Sequence, residues 1–316
     1  VVLLLSSPGF SWGFYAHRAI NRLAIFTLPP ELFGFYKEHI DYITDHAVDP
    51  DKRRYSDPEE ACRHYIDLDY FETIAPVDTL PKKWNDALTV YSEDTLKAYG
   101  IVPWHIQIML SRLTHAFKEN DHERILKYSA DIGHYIADAH VPLHATMNYN
   151  GQLTNQHGIH AFWESRLPEL FSHEYDFFVG NAIYLDNPLE AAWMASEGSF
   201  AAKDSVLNFE KQLNEKFEQD RKFSYDLKGQ TKVKQYSKEY ATAYHRLLGN
   251  QVERRMRLSV WMVGNFWYTA WVNAGQPDMN ISKKPVKKIT QEDKKQMIAD
   301  ELKLIYEGKM MGRPEN

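Results

Sequence analysis

One cysteine, Cys62, is all the thiol chemistry this chain has. An internal disulfide framework and a zinc site built from four cysteines are both excluded. Basic charge is short as well: 37 Lys and Arg stand against 43 Asp and Glu, a net charge of −6. The broad positive field of many nucleic-acid binders is therefore missing. A locally positive site made by metal ions is still compatible with that balance. Beyond the first residues no apolar run is long enough to span a membrane. There is no internal repeat, no run of alternating strands, and no Ser or Cys motif with the look of a nucleophile.

Histidine is what the chain has in quantity, with fourteen among 316 residues. Hydrophobic residues make up 44% and charged residues 25%, which reads as folded and not disordered. The length suits one large domain with a sizeable core. Helical spacing dominates. It is expected after Ala16, from Glu31 to Thr44, over residues 86–98, from Pro103 to about Lys118, over 121–140, and from His160 to Phe171. Two long helices are expected at Pro188 to Phe217 and Lys232 to Ala274, the second interrupted at Gly249 and Asn250. Residues 45–59 read as a polar loop, and Cys62 to Asp69 as short and ambiguous. The fold class is all-α.

Val1 to Leu5 form an apolar run. Pro8 follows, then small residues at Gly9 and Ser11, the −3 and −1 positions of a cleavage before Trp12. Residues 1–11 are expected to be a signal-peptide remnant, 12–275 the catalytic domain, and 276–316 a Lys-rich C-terminal extension. The mature protein is expected to be exported, to the periplasm or outside the cell.

Chemistry concentrates around the helix of residues 121–140. His134 and Asp138 are four apart, so on a helix they share one face. His144 follows just past Pro142, where the helix should end. A second pair at the same spacing, His160 and Glu164, lies sixteen residues further on. Nitrogen and carboxylate-oxygen donors are the set that zinc takes in open, catalytic sites. His157, three residues before His160, competes with it.

In the order of these motifs the sequence resembles the zinc-dependent phospholipase C and single-strand-specific zinc nuclease superfamily. The resemblance runs from Trp12 to about Glu164 and implies three zinc ions. It implies that the free amine and carbonyl of Trp12 bind one zinc together with His17, a role open only to a cleaved chain. It implies Asp51, His64 and His134 around a second zinc, Asp138 bridging these two, and His144, His160 and Glu164 around the third. Asp49 and Asp45 compete with Asp51. The stretch from Asp51 to Arg54 is similar to a nuclease Asp-x-x-Arg pattern, which brings Arg54 near the site to stabilise charge on phosphate. Tyr65, beside His64, would contact a base or a lipid head group. Asp67 would orient His64 or a water.

Glu164 and the short loop from His144 to His160 are closer to the phospholipases C. Trp12 with His17, Asp51 with Arg54, and His64 to Asp67 are closer to the nucleases. The implied activity is hydrolysis of a phosphodiester, in single-stranded nucleic acid or phospholipid, with Asp138 central to catalysis and no stable protein partner. The competing class is an exported helical protein that binds metal or a partner without catalysis. Ligand count separates the two, because a structural zinc closes its shell with four protein ligands while a catalytic one keeps a position open.

Overall fold

The computed structural model describes residues 13–228, 231–280 and 290–306. It is all-α, as the spacing predicts, apart from one hairpin. The first half of the chain supplies α1 (Phe14–Ala24), α2 (Pro30–Glu38), α3 (Ile40–Asp45), α4 (Asp49–Arg53), α5 (Leu68–Glu72), α6 (Trp84–Val90), α7 (Glu93–Ala98), α8 (Val102–Lys118) and α9 (His122–Ala139). The second supplies α10 (Ile159–Ala161), α11 (Leu167–Phe171), α12 (Pro188–Lys216), the strands β1 (Phe223–Lys228) and β2 (Thr231–Tyr236), α13 (Lys238–Leu248), α14 (Gln251–Asn273) and α15 (Gln291–Tyr306).

Helix α9 is the axis. It packs on α8, α14, α1 and α12, and every residue from Ser129 to Ala139 is buried. Asp121 caps its start by accepting the Arg124 N–H at 3.2 Å, which satisfies one orphan donor of the first turn. Gly133 lets α1 cross at close range. A Cβ there would stand 2.1 Å from Asn21 Oδ1, and Asn21 itself donates to the Ala130 carbonyl at 3.1 Å. That crossing brings His17 of α1 against His134 of α9, their rings stacked with centroids 3.9 Å apart.

Five local expectations need correction. Residues 86–98 are not one helix: α6 ends at Tyr91 (φ −123°, ψ 149°) and α7 starts anew from Ser92. Residues 45–59 are not all loop: a 3-10 turn at His46–Val48 leads into α4, with Pro50 in its first turn. The stretch Glu31 to Thr44 is two helices, parted at His39, whose backbone (φ −105°, ψ 21°) leaves the helical region. The stretch from Lys232 is not one helix, because β2 precedes α13. Thr231, Val233 and Tyr236 are strand formers, and Phe223 pairs with Tyr236 across the antiparallel ladder. The anticipated break at Gly249 is present, with φ +61°. From His160 to Phe171 the helix widens into a π-helical turn at Phe162–Arg166, which carries Glu164.

The ambiguous stretch after Cys62 is a 3-10 turn (Ala61–Arg63) followed by extended chain. Ile101 N–H donates to Cys62 O at 2.7 Å, Val102 N–H to Tyr65 O at 3.2 Å, and Asp67 N–H to Tyr99 O at 2.7 Å. Gly100 (φ +90°) permits this approach, since a Cβ would stand 2.1 Å from Tyr65 O. No helix among the described residues is long and apolar enough to cross a membrane.

Candidate metal centre

Three groups of buried donors converge at the C-terminal half of α9. His17, Asp51 and His134 bring one ligand atom each within 4.8 Å of one another, as do His64, His134 and Asp138, and His144, His160 and Glu164. Asp138 lies between them. Its Oδ2 is 2.8 Å from His64 Nδ1 and 3.2 Å from His134 Nε2, while its Oδ1 is 3.4 Å from His17 Nε2 and 3.9 Å from His144 Nε2. Asp51 Oδ1 reaches His134 Nε2 at 3.7 Å and His64 Nδ1 at 3.9 Å.

The backbone sets which ring nitrogens face inward. His134 Nδ1 donates to Ala47 O at 2.9 Å, His144 Nδ1 to His64 O at 2.6 Å, and His160 Nδ1 to Tyr149 O at 2.9 Å. A carbonyl can only accept, so each Nδ1 carries a proton, and in the neutral ring each Nε2 turns its lone pair to the centre. The His144 and His160 Nε2 atoms are then 3.2 Å apart. Glu164 Oε2 lies 3.1 Å from the His160 nitrogen and 3.5 Å from that of His144. Two lone pairs and a carboxylate at this range repel one another unless a cation or proton sits between them. Among the described residues, neither Glu164 oxygen has a hydrogen-bond partner, although both are fully buried. Groups left so are costly, and a metal ion satisfies them all. The donor set and its orphaned oxygens therefore fit zinc.

Charge in the centre points the same way. Burial pushes the Glu164 carboxyl up to about 8 and holds His160 down at about 4. Burial and the neighbouring His134 lower His17 to about 4. Burial also opposes charge on His134, but Asp138 and Asp51 outweigh it and raise His134 to about 9. Burial would raise Asp138, yet His134 and His144 hold it well below the ordinary carboxylate range. Protons are thus retained where cations would otherwise balance the carboxylates.

The other expected residues divide. Of the three early acids, Asp51 reaches the centre. Asp49 is taken by His46 Nδ1 at 2.5 Å and Asp45 faces Lys294 at 3.8 Å. His160 is in the third group, whereas His157 is exposed. Arg54 stands beside Asp51, Nη1 to Oδ1 3.7 Å. Tyr65 is half-buried and donates its hydroxyl to Ala98 O at 3.2 Å. Asp67 is buried at the head of α5. Trp12 lies outside the described residues. Gly13 donates its N–H to Ser165 Oγ at 3.1 Å, one residue from Glu164.

Sequence reasoning missed Glu60. It is fully buried, and its Oε1 is 3.5 Å from His64 Nε2. The signal was available, since Glu60 and His64 have the same four-residue spacing as His160 and Glu164.

No curated protein matches the chain. Residues 12–265 match the model of the S1/P1 Nuclease family. That span starts at Trp12 and takes in every residue of the three donor groups. The chain therefore belongs to the S1/P1 nuclease family, within the zinc-dependent nuclease and phospholipase C superfamily.

Proposed function

We propose that this protein is a zinc-dependent phosphodiesterase that hydrolyses single-stranded nucleic acid and acts outside the cytoplasm. One observation carries the reading: the two oxygens of Asp138 face different histidine sets, so a single carboxylate joins three adjacent donor groups. In this reading His17, Asp138 and Trp12 hold one zinc, Asp51, His64, His134 and Asp138 a second, and His144, His160 and Glu164 the third. Bound zinc supplies an acidified water and neutralises charge on the phosphoryl and leaving oxygens. Asp138 would serve both of the first two positions, since Oδ1 faces His17 and Oδ2 faces His64 and His134. Arg54, beside Asp51, takes a phosphoryl oxygen of the substrate by charge-assisted hydrogen bonding. The Tyr65 ring offers a face to a base next to the scissile phosphate. Asp67, buried three residues from His64, orients His64 or a water.

Export follows from the apolar run and small residues before Trp12, since cleavage there frees the amine that the first zinc position uses. The family match favours nucleic acid, while Glu164 keeps phospholipid as the competing substrate. Metal content by mass spectrometry, with hydrolysis of bis-p-nitrophenyl phosphate before and after chelation, tests the reading. About three zincs and chelator-sensitive turnover are expected. Single-stranded DNA against phosphatidylcholine then separates the substrates. A protein without zinc or turnover would leave the non-catalytic interaction module.

A further inference from the structure

A buried ion-pair network stands behind His64, on the side of the ring turned away from the donor groups. Glu60 is its hub. Its carboxylate accepts the Tyr135 hydroxyl at Oε1 and Arg63 Nη1 at Oε2, the latter at 2.6 Å. Arg53 Nε is 3.5 Å from Oε2. Arg53 also donates to Asp131 Oδ1 and to the Tyr135 hydroxyl, both at 3.1 Å. Arg63 Nη1 also donates to Asp57 Oδ2 at 3.0 Å, so two arginines face three carboxylates. Asp131 and Tyr135 belong to α9, the helix of His134 and Asp138, and Arg53 closes α4, the helix of Asp51. A carboxylate this deep costs several kcal/mol unless it is fully paired. The pairing is built, and it ends on a ring that faces the centre.

His64 is the one histidine of the second donor group that turns Nδ1 inward. That atom lies 2.8 Å from Asp138 Oδ2 and 3.1 Å from His134 Nε2. Among the described residues no backbone carbonyl fixes its tautomer, as carbonyls do for His134, His144 and His160. Asp138 would draw the ring proton to Nδ1, where it blocks the lone pair. Nε2 is buried with no hydrogen-bond partner among the described residues, and Glu60 is the carboxylate beside it that competes for that proton, Oε1 being 3.5 Å away.

We propose that Glu60 is a positioning residue of the metal centre: its carboxylate holds the Nε2–H of His64, so that Nδ1 presents a lone pair between His134 and Asp138. This rests on the reading of His64 as a zinc ligand. A neutral imidazole has one N–H and one lone pair, and the partner of one nitrogen decides which is which. Tyr135, Arg63 and Arg53 hold the carboxylate against that ring.

The test compares wild type, Glu60→Gln and Asp131→Asn, the last breaking the network at its far end. In Glu60→Gln the two arginines claim the amide oxygen. The NH2 then turns to His64 Nε2 and favours the wrong tautomer. Zinc affinity is read by chelator competition on the folded proteins, beside kcat and KM on bis-p-nitrophenyl phosphate. Glu60→Gln should weaken one of the three zincs about 10–100-fold, the usual cost of losing an outer partner of a ligand histidine. Its kcat should fall while KM holds. Asp131→Asn should keep wild-type zinc affinity even where its melting temperature drops. Wild-type affinity in Glu60→Gln, or equal weakening in both variants, overturns the proposal. A wild type that binds no zinc overturns the ligand reading instead. Should Glu60→Gln fail to fold, Glu60→Asp withdraws the carboxylate by one methylene but keeps its charge, and the same outcomes apply.

Discussion

Replacing Glu164 by Gln should stabilise the zinc-free protein and weaken zinc binding, two effects of opposite sign from one isosteric change. Burial raises the Glu164 carboxyl to about 8 in the folded, metal-free protein, against an ordinary value of about 4.3. A raised acid binds more protons in the native state than in the unfolded one. Its burial therefore costs nothing below pH ~4, and the cost grows until pH ~8. At pH 7 it is about 4 kcal/mol, from 1.36 kcal/mol per pKa unit. An amide has no such cost, and its NH2 can donate to the His160 Nε2 lone pair that now lies 3.1 Å from Oε2. Zinc-free Glu164→Gln should therefore melt several degrees above zinc-free wild type at pH 7, and the gap should close as pH falls toward 4. With zinc the order reverses, because an anionic ligand is gone. Affinity at that position should fall by more than the ~100-fold that an outer partner is worth. Titration calorimetry in buffers of different protonation enthalpy adds a third readout. At pH 7 most wild-type molecules carry the Glu164 proton and release it on zinc binding. The variant should release about one proton fewer. Equal zinc affinity and equal proton release in both proteins would refute the assignment of Glu164 as a ligand.

Further outcomes are expected from other changes. Asp138→Asn should abolish phosphodiester hydrolysis and lower zinc content by more than one ion, since its two oxygens face different histidine sets; turnover at wild-type rate would exclude the shared-carboxylate arrangement. Gly133→Ala drives a Cβ to within 2.1 Å of Asn21 Oδ1, so the Asn21 amide must leave its bond to Ala130 O or α1 must shift, at a cost of ~1–3 kcal/mol. Thermal melts and metal analysis should show lower stability and loss of the His17 zinc; a wild-type melt with full zinc would contradict the role given to this crossing. Protein carrying one extra residue ahead of Trp12 should bind two zincs instead of three, whereas three would show that the free amine of Trp12 is not a ligand. Chelation should lower the melting temperature of the wild type, because zinc bound to the native state alone stabilises it by mass action.

Much of this centre was legible in the sequence because its main donors lie on or next to one helix. His134 and Asp138 are one turn apart on α9, and His160 and Glu164 keep that relation through a π-helical turn, a feature frequent at functional sites. What spacing could not convey was how separate segments meet. The choice among Asp45, Asp49 and Asp51 turns on α4, a helix inside a stretch that read as polar loop. The approach of His17 to His134 depends on the missing side chain of Gly133, and a glycine inside a helix gives no local sign of a crossing. Glu60 repeats the His/carboxylate spacing, but it sits at the edge of that same apparent loop, where helical spacing carries no weight. The hairpin was overlooked because each strand is six residues long and abuts a long helical pattern.

The central claim is that one carboxylate, Asp138, joins adjacent zinc positions. Anomalous diffraction at the zinc edge, on crystals of protein matured to Trp12, tests it most directly. Three zinc peaks are expected, two of them flanking Asp138 and the third among His144, His160 and Glu164. Zinc found elsewhere, or a single closed site without Asp138, would contradict it.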